Sequence, residues 1–191
     1  ASGTTVVRNC LASKDVLSTI SAFGQMGVTI ARRADEVIIE GRGLRGLQPC
    51  AEEIYVGNSG TTMRLLMGIL AAQPFSTVLT ADESLSRRPM DRVTLPLRLM
   101  GASIGGPHDG MRAPVTITGG QLTGISYRSP VASAQVKSAL MFAGLYAQGE
   151  TVVTEPTKSR DHSERMFAFF GAPRADLLTR ADPDRRTLRR D

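Results

Sequence analysis

Gly57-Asn58-Ser59-Gly60-Thr61-Thr62 has the composition of an anion seat. A strand-like apolar run, 54–56, leads into it, and it opens into a helical pattern that places Met63, Leu66, Met67 and Leu70 on one face. The two glycines let the backbone turn sharply and let a ligand approach it closely. Asn, Ser and Thr are the residue types that cap helix starts. The first N–H groups of a helix lack intrahelical partners and lie at the positive end of its dipole, so such a junction can hold a phosphate or a carboxylate. Read alone, the stretch is more readily a turn with a good N-cap, because glycine-rich turns are common punctuation.

Three further loop-to-helix junctions have the same polar character: Arg88 with its neighbours, Ser133-Ala134-Gln135, and Ser159-Arg160-Asp161-His162. A guanidinium offers paired donors to a carboxylate or phosphate, which suits Arg88 and Arg160 to this chemistry. Each could also be a solvated surface arginine. What favours function is their equivalent placement in an internal repeat.

The repeat has a period of about 70 residues. Thr5-Val6-Val7, Thr77-Val78-Leu79 and Thr151-Val152-Val153 each open a strand. Gln25-Met26-Gly27-Val28, Leu99-Met100-Gly101-Ala102 and Phe169-Phe170-Gly171-Ala172 each close the following helix. The pattern predicts a strand over 4–11, then a helix capped by Ser13 with Val16, Leu17, Ile20, Phe23 and Met26 on its apolar face. Strands follow over 28–30 and 37–41 around an Ala34-Asp35 turn, and then a loop over 41–49.

In the middle copy a strand over 77–80 precedes a polar loop, 82–88. A helix starting at Arg88-Pro89-Met90 carries Met90, Val93, Leu97 and Met100. Strands over 103–104 and 115–118 flank a glycine-rich loop, 105–110. The last copy reads as a strand over 125–127, a helix opened by Ser133 and a strand over 151–155. Its final helix is capped at Asp161, with Met166, Phe169 and Phe170 on its apolar face. The unit is β-α-β-α-β-β, complete over 50–120 and partial over 1–41 and 121–172. This is an α/β pattern, with helices packed over sheets. The partial units leave apolar surface uncovered, so the chain alone is expected to be marginal or to depend on a partner segment.

The residues 173–191 are arginine-rich with almost no apolar pattern, and are expected to be poorly ordered. Arg174, Arg180, Arg185, Arg186, Arg189 and Arg190 also carry much of the net charge of +5; the rest of the chain is close to neutral. No aromatic platforms alternate with basic residues, which argues against nucleic acid as the partner. No apolar run is long enough to span a membrane, and Ala1-Ser2-Gly3-Thr4-Thr5 lacks the charged-then-apolar pattern of a signal peptide. Cys10 and Cys50 lack metal-ligand spacing and read as free thiols of a reducing, cytoplasmic compartment.

In order and spacing, the 57–66 stretch, Asp82-Glu83-Ser84-Leu85-Ser86-Arg87-Arg88-Pro89-Met90, Ser133-Ala134-Gln135-Val136-Lys137-Ser138-Ala139-Leu140 and Ser159-Arg160-Asp161-His162-Ser163-Glu164 resemble the 5-enolpyruvylshikimate-3-phosphate synthase family over about 4–171. The resemblance implies one lobe of a two-lobed enzyme, built from β-α-β-α-β-β units around a pseudo-threefold axis. It implies transfer of the enolpyruvyl group of phosphoenolpyruvate to the 5-hydroxyl of shikimate-3-phosphate, through a tetrahedral intermediate that loses phosphate. No metal or organic cofactor takes part.

By the same resemblance Ser133, Ala134, Gln135 and Arg160 hold shikimate-3-phosphate, while Gly60, Arg88 and Gln135 face phosphoenolpyruvate. Gly60 is the glycine of inhibitor-sensitive members, which implies glyphosate sensitivity in an assembled enzyme. The family's early Lys-Ser…Arg stretch and its proton-transferring second lobe have no counterpart in these residues. The chain is therefore expected to be a truncated lobe with little turnover, and a second polypeptide could complete it. A related enolpyruvyl transferase acting on UDP-N-acetylglucosamine is the alternative enzyme; its loop cysteine is missing from 82–87. A non-catalytic substrate-binding fragment is the other reading.

Overall fold

Three separate sheets carry the chain, and each gathers strands from one stretch of sequence. The computed structural model describes residues 2–172, with the backbone of 177–181.

The first sheet has the order β1-β3-β2, from β1 (Ser2–Val7), β2 (Thr29–Arg33) and β3 (Glu36–Arg42), all antiparallel. The hairpin joining β2 and β3 turns at Ala34, whose φ of 50° is left-handed. Helix α1 (Lys14–Gln25) connects β1 to β2, and Ser13 caps it by accepting from the Val16 N–H. Of its expected apolar face only Met26 is fully buried, together with Ala22; Leu17 is exposed and Phe23 half-buried. A groove lined by Ile20, Phe23, Ile30, Ile39 and Leu47 runs between α1 and this sheet.

The second sheet has the order β4-β5-β7-β6, from β4 (Ile54–Tyr55), β5 (Ser76–Thr80), β6 (Ser103–Gly105) and β7 (Val115–Thr118). β4 runs parallel to β5 through the crossover helix α2 (Gly60–Leu70), while β7 is antiparallel to both β5 and β6. The loop expected over 82–88 contains a single helical turn, α3 (Glu83–Ser86), because Asp82 accepts from the Leu85 N–H and caps it. Helix α4 (Asp91–Leu99) starts two residues after Pro89 and buries Met90, Val93, Leu97 and Met100 as the periodicity requires. A turn over Pro107–Gly110 (α5) has left-handed His108 and Asp109, and Arg98 grips the Asp109 carboxylate at 2.9 Å.

The third sheet is parallel throughout, in the order β10-β9-β8, from β8 (Ser126–Arg128), β9 (Thr151–Glu155) and β10 (Leu177–Ala181). Helix α6 (Ala134–Gly144) crosses from β8 to β9. Strand β10 lies inside the tail expected to be poorly ordered: an extended segment can add to the open edge of β9 through backbone hydrogen bonds alone, without an apolar pattern. The other tail residues, 173–176 and 182–191, lie outside the described residues.

Helix α7 (His162–Phe169) departs from expectation in two ways. Asp161 makes no side-chain cap hydrogen bond. The face bearing Met166, Phe169 and Phe170 is exposed, and the residue that turns inward is Phe167, packed edge-on against Phe142 at 5.1 Å.

Helices α2 and α6 are buried on nearly all sides and form the centre of the core. They touch backbone to backbone: a Cβ on Gly68 would lie 2.0 Å from the Ala139 carbonyl oxygen. Around this crossing pack Met26, Ile54, Met63, Leu66, Leu79, Leu97 and Leu140, each 2% exposed or less. Burying such a side chain is worth about 1.5–3 kcal/mol. The crossing fixes the relative position of the two helix starts, and those starts carry the polar junctions.

Candidate functional site

Helix α2 begins from a clamped turn. Gly57, at φ 59°, lets the chain double back, and its carbonyl accepts from the Asp82 N–H at 3.0 Å. Ser59 Oγ accepts from the Thr62 N–H at 3.2 Å, a cap worth about 1 kcal/mol. The hydroxyls of Ser59, Thr62 and Thr19 chain together at 2.7 and 2.8 Å, tying this turn to α1. Asn58 joins it to the next junction: its Nδ2 donates to the Asp82 carboxylate at 2.8 Å, and its Oδ1 accepts from Arg88 Nη2 at 3.0 Å. The Leu85 N–H and Asn58 hold the Asp82 carboxyl below the usual carboxylate range.

Arg64, one turn into α2, joins the junctions. Its Nη1 donates to Gln135 Oε1 at 3.1 Å and to the Gly60 carbonyl at 3.4 Å, and its Nη2 donates to the Pro89 carbonyl at 3.0 Å. Gln135 in turn donates from Nε2 to Thr61 Oγ1 at 2.9 Å. The first turns of α2 and α6 and the start of α4 thus meet at one guanidinium. Burial, and then the positive charges of Arg88 and Arg92, make Arg64 easier to deprotonate than an ordinary arginine, with Asp91 opposing. Neighbouring cations are an environment that an incoming anion would relieve.

Beside this contact a cleft of about 170 Å³ is lined by Thr61, Leu65, Ala134, Gln135, Ser138, Arg160, His162 and Ser163. An adjoining, more open one of about 590 Å³ is lined by Ser133, Ala134, Gln135, Lys158, Ser159 and Arg160. The structure therefore brings Ser133, Ala134, Gln135 and Arg160 together. Gly60 joins them through Arg64, and Arg88 lies one hydrogen bond away at Asn58. Gly60 is backed tightly, since a Cβ there would meet Arg64 Nη1 at 2.7 Å.

Under the α6 start lies a buried ion cluster. Lys137 Nζ is 3.0 Å from Glu155 Oε2 and 2.7 Å from Glu164 Oε1. Glu155 also accepts from the Ser133 N–H at 3.0 Å and from Ser159 Oγ at 2.8 Å. Burial opposes the charge on Lys137, but the two glutamates outweigh it and raise its pKa. Burial likewise pushes Glu155 up, but Ser159, Lys137 and the Ser133 amide together bring it below the ordinary carboxyl range.

A depressed carboxyl stabilises the fold above its unfolded pKa, and that stabilisation is lost as pH falls through the folded value. The thermal midpoint is therefore expected to decline as pH drops below about 4.3, and the decline should be shallower in Glu155→Gln. Melting curves across pH 3–7 check this; identical pH profiles for the two proteins would contradict it. Lys137, raised, contributes below its unfolded pKa of about 10.4 and loses that contribution only in strong alkali.

Arg64, Lys137, Glu155 and Ser163 were not singled out as site residues by the sequence pattern. The available signal was a charge within an otherwise apolar helix face: Arg64 after Met63, and Lys137 after Val136. Among the described residues no cluster of three or more His, Cys, Asp or Glu could hold a metal ion, and no helix is long and apolar enough to cross a membrane.

Sheets crossed by two buried helices whose first turns meet at an arginine and open on polar clefts define an α/β protein with one arginine-rich face. Comparison with known proteins narrows this further. The chain belongs to the EPSP synthase (3-phosphoshikimate 1-carboxyvinyltransferase) family, whose model matches residues 1–176. It is 55% identical over 171 residues to the 3-phosphoshikimate 1-carboxyvinyltransferase of Bacillus pumilus and 56% identical to that of Brevibacillus brevis. Each alignment covers 90% of this chain and 40% of the relative, so the chain spans about two fifths of the length of these curated relatives. The solved structure of EPSP synthase from Acinetobacter baumannii superposes with a TM-score of 0.87 at 49% identity, covering 95% of this chain and 44% of that one.

Proposed function

We propose that this chain forms one lobe of an enolpyruvyl transferase and binds shikimate-3-phosphate and phosphoenolpyruvate on the face where α2 and α6 begin. The Arg64–Gln135 hydrogen bond supports this most directly, because it joins the two helix starts into one cationic surface. Ser133, Ala134, Gln135 and Arg160 receive shikimate-3-phosphate in the paired clefts. Gly60, Arg88 and Gln135 receive phosphoenolpyruvate at the arginine-rich side. The three sheets are three β-α-β-α-β-β units around a pseudo-threefold axis. The first and third units, over 1–41 and 121–172, are incomplete, and the second spans 50–120. In support, β4-α2-β5 and β8-α6-β9 are the same parallel crossover.

In this reading the lobe supplies binding, and a facing lobe on a further segment or polypeptide supplies proton transfer. General acid–base catalysis requires a titratable side chain, most often an imidazole or carboxylate, within hydrogen-bonding reach of the substrate, and His162 is the imidazole on the cleft wall. The carboxylates near the clefts are already engaged: Glu155 and Glu164 with Lys137, and Asp82 with Asn58. That engagement also favours the second reading, a fragment that captures substrate without turning it over. Calorimetry with shikimate-3-phosphate, run beside a phosphate-release assay with both substrates, decides between them. Binding without phosphate release is the expected result. Release by the purified chain would show that a competent acid and base are present, and no binding at all would remove the proposal.

A further inference from the structure

Lys137 is 1% exposed, and it sits in a helix whose neighbouring positions, Val136, Ala139, Leu140 and Met141, are buried and apolar. A buried ion pair is poor evidence of stabilisation, because desolvating the charges costs about as much as their attraction returns, and an apolar replacement is often as stable. Its placement points to a different role.

Glu155, 3% exposed at the end of β9, distributes its two oxygens among separate segments. Oε1 accepts from the Ser133 N–H at 3.0 Å, at the cap of α6. Oε2 accepts from Lys137 Nζ at 3.0 Å, from Ser159 Oγ at 2.8 Å and from the Ser159 N–H at 3.4 Å. Glu164, the second partner of Lys137, is in the first turn of α7. Ser138 and Ser163 add a hydroxyl contact of 2.6 Å between α6 and α7. Four segments therefore converge on the Lys137–Glu155 pair: the α6 start, the end of β9, the loop carrying Arg160, and α7. Ser133 precedes Ala134 and Gln135, Ser159 precedes Arg160, and all five line the same open cleft.

We propose that Lys137 and Glu155 are positioning residues, which hold the start of α6 and the Ser159-Arg160 loop in the one register that lets both act on the same anion. The proposal rests on the anion-binding reading of this face. As a carboxylate Glu155 accepts from Ser133 and Ser159 at once with full strength at both oxygens, and the Lys137 ammonium keeps it one. Without that cation a carboxyl so deeply buried takes up a proton, becomes a donor at one oxygen, and releases part of its hold. Binding constellations tolerate displacements of only about 0.5 Å, so a loosened loop loses affinity without unfolding.

The experiment compares the full chain with Lys137→Met, Ser159→Ala and Ser159→Thr. Affinity for shikimate-3-phosphate is measured by calorimetry, and amide hydrogen exchange is read at Ser133 and Ser159, with Met67 and Leu79 as core references. Lys137→Met is expected to weaken binding about tenfold or more and to speed exchange at Ser133 and Ser159 while the references stay protected. Ser159→Ala should weaken binding about fivefold, and Ser159→Thr, which keeps the hydroxyl, should restore it. Should Lys137→Met fail to fold, the Ser159 pair decides.

Unchanged exchange at Ser133 and Ser159, equal loosening of the core references, or failure of threonine to restore the alanine defect would each overturn the positioning role. A wild-type chain that binds no shikimate-3-phosphate would remove the functional reading. The exchange data would still decide whether the cluster orders this face.

Discussion

Replacing Gly68 with alanine is expected to cost about 3 kcal/mol and to lower the thermal midpoint by about 6–12 °C. A Cβ at this position would lie 2.0 Å from the Ala139 carbonyl oxygen, 2.8 Å from its carbon and 3.0 Å from its Cα. Every obstructing atom is backbone, within a helix buried on nearly all sides, so no rotamer change can clear the space. The helices must separate instead. Because α2 and α6 carry Arg64 and Gln135 at their starts, separation also stretches the 3.1 Å hydrogen bond between those residues. Loss of shikimate-3-phosphate affinity should accompany the loss of stability.

Gly24 is the control. It lies inside α1 with nothing within 4 Å of its would-be Cβ, so Gly24→Ala should stabilise the helix by about 0.5–1 kcal/mol. Scanning calorimetry of the two variants makes the comparison. A Gly68→Ala protein that melts with the wild type would show that the α2–α6 crossing has slack, and the site could not then depend on it.

The contrast between helices shows what can be read from sequence. Met63, Leu66, Met67 and Leu70, and likewise Met90, Val93, Leu97 and Met100, follow the helical period and are buried. In α4 one face meets the core, and in α2 the apolar stripe lies within a helix buried on nearly all sides, so the period finds the buried residues of both. In α7 the same logic selects Met166, Phe169 and Phe170, yet the inward residue is Phe167, because its position relative to Phe142 on α6 is a tertiary matter. In α1 the period is correct but the covering surface is partial, leaving the groove beside Phe23.

Short elements were harder. The turn over Glu83–Ser86 has no period to detect, and β10 pairs through its backbone. At the candidate site the capping residues were legible because Ser, Thr and Asn at a helix start have a local reason to be there. Arg64 and Lys137 have no local reason. Their partners are remote in sequence, with Gln135 71 residues from Arg64, and only the fold shows that each charge is answered.

Gly60→Ala tests this hidden dependence on Arg64, and the expected outcome is the reverse of Gly68→Ala: an almost unchanged melting temperature with a large loss of anion binding. The obstruction at Gly60 is Arg64 Nη1 at 2.7 Å, the far end of a flexible side chain, with Leu85 Cδ1 next at 3.4 Å. The guanidinium can move aside without disturbing the core. In moving it gives up Gln135 Oε1 or the Pro89 carbonyl, and the cationic surface that joins α2 to α6 is lost. Charge-assisted hydrogen bonds are worth about 1.5–3 kcal/mol, so binding should weaken about 10- to 100-fold.

Arg64→Met should weaken binding by a similar factor. The decisive protein is the double variant. If the added methyl acts through Arg64, Gly60→Ala has nothing left to displace once the arginine is gone, and the double variant binds no worse than Arg64→Met. If the methyl instead occludes the ligand directly, the two losses multiply. Calorimetric titration of phosphoenolpyruvate in the presence of shikimate-3-phosphate, across the four proteins of this cycle, separates the two. Multiplicative losses would place Gly60 against the ligand and leave Arg64 as an independent contact. Losses that do not multiply would make Gly60 the residue that leaves room for Arg64, whose reach to Gln135 holds the two helix starts together.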